Sequence, residues 1–110
     1  MKDDRIYLEH IRDCIQRIRN DTIGGHEAFL ADRKSQDAVL RNLQTLAESA
    51  IRLSAHSKSR QPEVDWRGIA GFRNVLVHNY LGVNMERICV ILQTDLPVLA
   101  AAVDALLASK

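Results

Sequence analysis

The sequence predicts an all-α fold, an antiparallel bundle of four to five helices in a single domain spanning residues 1–110. Three observations lead there. Apolar residues recur at threes and fours almost throughout, the period of a helix that buries one side. No stretch alternates at period two, as a half-buried strand would. The length is one domain's worth, and with one Trp, two Tyr and two Phe the core must be built mainly from Leu, Ile, Val and Ala.

Each element follows from local pattern. Ile6, Leu8, Ile11, Cys14, Ile15 and Ile18 form the stripe of a first helix. Asp3 and Asp4 stand where a cap or first-turn acid belongs. Gly24-Gly25 breaks the pattern, and His26 to Ala31 makes one or two turns. A long helix is expected from about Asp32 to about Ser57. Its wide stripe from Val39 to Leu53 suits the middle of a bundle or a second protomer. Residues 57–65 are polar, carry Pro62 and read as a loop. Asp65 is placed to cap a helix from Trp66, and Gly82 closes that region. Asn84 caps the next helix. Pro97 should kink or restart it, because proline lacks an N–H and clashes with the preceding turn, and Asp95 stands where a cap for the restart belongs.

Charge excludes one simple function. Fifteen Lys and Arg against fourteen Asp and Glu leave +1, too little for bulk coating of nucleic acid. A local basic cleft remains open, and Arg outnumbers Lys eleven to four, which suits bidentate recognition of phosphate. Cys14 and Cys89 sit among apolar residues with no zinc-type spacing, so both read as reduced thiols filling core space, and no metal site is expected. The chain opens Met-Lys-Asp-Asp-Arg, unlike a signal peptide, and no apolar stretch reads as the ~18–20 residues of a membrane span. A cytoplasmic protein is expected.

The chemistry concentrates in residues 66–80. On a helical wheel of about 100° per residue, Ile69, Phe72, Val75 and Leu76 cluster toward the core. Arg67, Gly71, Asn74 and His78 follow i, i+4, i+7, i+11 on the opposite side. Arg73 lies on a flank, and spacing alone does not place it in the polar stripe. Gly71 allows close approach of a backbone or substrate. Asn74 and His78, one turn apart, can bind one ligand or each other. Arg offers a fixed charge to phosphate, and His trades a proton near neutral pH. His10, His26 and His56 have no partners at telling spacing and read as surface or loop residues; Tyr7 and Trp66 read as packing residues.

Arg73-x4-His78-x-Tyr80 resembles the R-x4-6-H-x-Y motif of HEPN-domain ribonucleases, specifically the HepT toxins. The likeness extends through Asp32-Arg33, residues 36–43, residues 66–74, residues 80–84 and Asp95-Leu96-Pro97, which is nearly the whole chain. It implies a HEPN-like bundle forming a two-fold homodimer, with the motifs of both protomers lining one cleft. It implies a metal-independent endoribonuclease needing no cofactor, the toxin of a toxin–antitoxin pair. Arg73 would stabilise charge on the scissile phosphate of a transfer or messenger RNA. His78 would act as general base or acid for attack by the ribose 2′-hydroxyl, leaving a 2′,3′-cyclic phosphate or its hydrolysed form. Asn74 would orient substrate or the catalytic pair. Tyr80 would receive AMP from a nucleotidyltransferase antitoxin of the MntA kind. The alternative for Tyr80 is a packed ring with its hydroxyl on the backbone.

Two other functions compete: a non-catalytic module that binds a nucleotide or substrate for a nucleotidyltransferase, and a purely structural helical dimer. The intact Arg-His-Tyr set favours catalysis over the first. The second leaves the polar stripe of residues 67–78 unexplained.

Overall fold

In a computed structural model, which describes residues 2–109, the chain forms six helices joined by short turns, with no strand among those residues. They are α1 (Lys2–Asp21), α2 (His26–Ala31), α3 (Arg33–Ile51), α4 (Ala55–Ser59), α5 (Trp66–His78) and a last rod made of α6 (Met85–Val90), a π-helical turn (Ile91–Asp95) and α7 (Leu96–Ala108). A 3₁₀ turn, Tyr80–Gly82, follows α5. Helix α3 is the centre, packing against α1 on one side and α5 on the other, while α7 closes against α1. Both pairings with α3 are antiparallel. Asp4, His10 and Cys14 meet Ser54, Ser49 and Thr45 in reverse order, and Arg73 and Tyr80 meet Glu48 and Asp37 likewise.

The core is aliphatic. Leu8, Ile11, Ile18, Val39, Leu76, Ile88, Val103 and Leu106 are fully enclosed, and Cys14 and Cys89 are buried free thiols whose pKa values burial pushes up. Each fully buried aliphatic side chain of this kind is worth roughly 1.5–3 kcal/mol. Ile6 is 68% exposed and departs from the expected stripe, because it stands about 200° round the helix from Leu8.

The helix ends are set by side-chain caps. Asp32 accepts from the Lys34 N–H, Asp65 from Gly68, and Asn84 from Glu86 and Arg87. Gly25, at φ +95°, turns the chain into α2, a backbone conformation that favours glycine.

Two boundaries differ from expectation. Helix α3 stops at Ile51 instead of running to Ser57. Asp4 explains why: its carboxylate takes the Ser54 N–H at 3.0 Å and the hydroxyls of Ser54 and Ser57 at 2.6 Å each, and Ser54 then caps the short α4. Asp4 is thus a buried long-range staple and not a cap of its own helix; the side chain of Asp3 lies outside the described residues. The expected break at Pro97 is absorbed by the π-helical turn before it, so Met85–Ala108 runs as one helix and Asp95 makes no cap. By length and composition that helix is long and apolar enough to cross a membrane, contrary to the reading of the sequence as two shorter segments. Its inner face supplies Ile88, Leu96, Leu99, Val103 and Leu106 to the bundle core.

Candidate functional site

Helix α5 is anchored at its start and open at its end. Asp65 caps it so tightly that a Cβ on Gly68 would collide with that carboxylate. Trp66 donates its indole N–H to the carbonyls of Lys58 and Gln61, tying the preceding loop to the helix. Leu76 is its one fully buried side chain, and Ile69 and Phe72 are half-buried. Val75, expected in the core, is 45% exposed. It lines a groove of about 490 Å³ between α5 and the last rod, together with Phe72, Ile91 and Val98. Helix α5 does not close against that rod, and this leaves Val75 uncovered.

The polar stripe lies where the spacing puts it. Arg67, Gly71, Asn74 and His78 are all exposed, and a Cβ added at Gly71 would touch nothing within 4 Å. The stripe therefore presents an unobstructed surface.

Arg73 sits between this stripe and α3. Its Nη1 donates to Asn74 Oδ1 at 3.1 Å. Its Nε faces Glu48 of α3, 3.6 Å from Oε2, an ion pair too long for a hydrogen bond. That nitrogen is buried and has no hydrogen-bond partner, while the side chain as a whole is 36% exposed. The guanidinium is steered from one edge, and its outer nitrogens remain partly open to an anion. Asn74 pairs with this neighbour instead of with His78.

His78 is exposed at the last residue of α5 and forms no side-chain hydrogen bond or ion pair among the described residues. Tyr80 follows on the 3₁₀ turn. Its hydroxyl donates to Asp37 Oδ1 at 3.1 Å, not to the backbone. Burial, that hydrogen bond and the Asp37 charge raise its pKa, with Arg33 opposing. The ring is 40% exposed, so the oxygen is held yet reachable.

Sequence reasoning missed Glu48 as a partner of Arg73 and Asp37 as a partner of Tyr80. A signal existed: Asp37, Arg41, Glu48 and Arg52 recur at i, i+4, i+11, i+15, a polar stripe on α3 like that on α5. Two histidines also have partners 39 and 60 residues away, beyond any local spacing. His10 Nδ1 lies 2.6 Å from Ser49 Oγ, and His26 pairs with Glu86 at 3.2 Å. No group of His, Cys, Asp and Glu suited to hold a metal occurs among the described residues.

A small helical bundle thus presents an arginine on α5, an unbonded histidine at the end of that helix and a tethered tyrosine just beyond it. The chain belongs to the ribonuclease HepT-like family, whose model matches residues 8–106. It is similar to a candidate RNase of Methanocaldococcus jannaschii, 34% identical over 100 residues, 87% of this chain and 80% of that protein. A candidate ribonuclease HepT of Thermococcus cleftensis is 35% identical over 92 residues, 83% of this chain and 84% of its own. A candidate RNase of Caldanaerobacter subterraneus is 32% identical over 111 residues, covering 97% and 96%. No solved structure matches the chain.

Proposed function

We propose that this protein is a cytoplasmic, metal-independent endoribonuclease, the toxin of a pair whose antitoxin is a nucleotidyltransferase. The observation that carries the reading is a partly unsatisfied Arg73 and, five residues on along the same helix, an unbonded, exposed His78, in a chain of the ribonuclease HepT-like family.

His78 takes the proton of a ribose 2′-hydroxyl, and the oxygen attacks the adjacent phosphorus. The bond from phosphorus to the 5′-oxygen breaks, leaving a 2′,3′-cyclic phosphate and a 5′-hydroxyl. Arg73 stabilises the charge gathering on the non-bridging oxygens. Asn74 holds one guanidinium nitrogen and thereby fixes the direction of the others. One histidine cannot be base and acid in the same step, so a second His78 from a two-fold mate supplies the proton for the leaving oxygen. The open groove with half-exposed Val75 and Val98 offers apolar surface for that mate. Light scattering should give a dimer mass at micromolar concentration; a monomer mass would remove the second histidine from the mechanism.

Tyr80 is the control point. AMP joined to its hydroxyl puts a bulky anion close to Arg73 and His78 and blocks RNA. Intact mass after co-expression with the antitoxin should rise by one or more adenylates, mapped to Tyr80.

The direct test incubates purified protein with RNA in excess EDTA. Wild type cleaves and His78→Ala does not. Equal survival of the RNA with both, together with unimpaired growth on expression of the wild type, would end the toxin reading.

A further inference from the structure

Between α1, α3 and α5 lies an open cleft of about 560 Å³, and the proposed cleavage chemistry uses only one of its residues, Arg73. Such a volume falls within the roughly 300–1,000 Å³ of small-ligand sites. Tyr7 and His10 form the α1 wall, Glu48 and Ser49 of α3 with Arg52 just past its end form the floor, and Arg73 the α5 wall.

The walls are built, not incidental. His10 is held on both ring nitrogens, by Ser49 Oγ at 2.6 Å and by Cys14 Sγ at 3.6 Å, and Ser49 is itself buried. Tyr7 is half-buried, packs against the core and lines the cleft. Arg52 is exposed and makes no ion pair among the described residues, and Arg73 has a buried Nε without a hydrogen-bond partner. Two arginines, an aromatic ring and a carboxylate are the elements of nucleotide recognition. The arginines suit phosphate, the ring suits a base, and the carboxylate accepts from a ribose hydroxyl or base amine.

We infer that this cleft holds one nucleotide unit of the RNA strand beside the scissile phosphate. Its phosphate lies against Arg52, next to the scissile phosphate on Arg73, its base rests on Tyr7, and Glu48 accepts one of its hydroxyl or amine hydrogens. Glu48 favours a nucleotide over a bare anion, since inorganic phosphate sets its full charge against that carboxylate and has no donor away from the charged group. A nucleoside brings donors that satisfy it. That the unit belongs to RNA rests on the ribonuclease reading; that the cleft takes a nucleotide does not.

The test measures binding of a fluorescent oligoribonucleotide of about ten residues to His78→Ala protein, so that cleavage cannot interfere. In that background Arg52→Ala and Tyr7→Leu should each weaken binding about tenfold, in line with the loss of one stacking or phosphate contact. Tyr7→Phe, which keeps the ring, should bind as the parent does, and Arg12→Ala, exposed and outside the cleft, should have no effect. Unchanged binding by both Arg52→Ala and Tyr7→Leu would overturn the inference. So would a free nucleoside monophosphate that competes as tightly as the oligonucleotide, since the cleft would then serve a free nucleotide. Binding that depends on Arg52 and Tyr7 in a protein whose wild type cleaves no RNA would sustain the site while the ribonuclease reading fails.

Discussion

Asp4 and Glu48 are both acids on long helices that reach a residue of another element, and they end in opposite states. The Asp4 carboxylate is enclosed and takes three hydrogen bonds, all at 3.0 Å or less. Glu48 is 39% exposed at its side chain and stands 3.6 Å from an arginine nitrogen that no hydrogen bond satisfies. The first arrangement leaves nothing for a ligand to do, and it fixes where α3 ends and α4 begins. The second keeps a cation aimed but incompletely used. Tyr80 on Asp37 belongs with the second group: one hydrogen bond, an accessible ring and an oxygen still open to reaction. In this bundle, complete bonding marks structure and incomplete bonding marks the candidate site.

Arg73→Ala should break the contrast most severely on the functional side. Cleavage should fall about 10²–10³-fold, the usual cost of one transition-state donor, with the thermal midpoint nearly unchanged. A loss of stability as large as the loss of activity would mean that Arg73 is structural.

Asp4→Ala should do the reverse. It strands the Ser54 N–H and two hydroxyls, and stability should fall by about 2–3 kcal/mol in chemical denaturation, with cleavage per folded molecule retained. The pH dependence has a definite sign. Burial alone would push the Asp4 carboxyl up, but the hydrogen bonds from Ser54 and Ser57 outweigh it and hold the group below the ordinary aspartate range. Its stabilisation is therefore present at neutral pH and disappears as pH falls through that lowered value. Wild type should lose this increment in acid, and Asp4→Ala should have none to lose.

Smaller effects are expected at Tyr80. Asp37→Asn removes a charge and weakens the hydrogen bond that raises the phenol's pKa, so ultraviolet titration should show Tyr80 ionising at lower pH than in wild type. An unmoved titration would mean that Asp37 does not hold the hydroxyl in solution. The smallest effect belongs to Asp95→Ala. Since Asp95 caps nothing, the change should stay within about 0.5 kcal/mol, in contrast to the same substitution at the capping Asp65.

Much of this was legible in the sequence because it is local. Caps at Asp65 and Asn84, the start of α3 near Asp32, the turn at Gly24-Gly25 and the outward stripe of Arg67, Gly71, Asn74 and His78 depend on residues within a few positions. What escaped was long-range. Asp4 reaches residues 54 and 57, His10 reaches residue 49, and Tyr80 reaches residue 37, contacts that exist only once helices pack. Val75 was misassigned for a related reason: a wheel gives the side of a helix and not how far its neighbour extends to cover it. Ile6 is a different case, since the wheel itself sets it opposite Leu8. The continuity of Met85–Ala108 escaped because a π-helical turn can accommodate a proline that an α-helix cannot.

The ends of the RNA fragments test the central claim most directly, that Arg73 and His78 cleave RNA by way of the ribose hydroxyl without a metal. Fragments made in excess EDTA and read by mass spectrometry should carry 2′,3′-cyclic phosphate, or the monophosphate left by its hydrolysis, opposite a 5′-hydroxyl. Fragments with 3′-hydroxyl and 5′-phosphate ends, or fragments formed equally by His78→Ala protein, would contradict it.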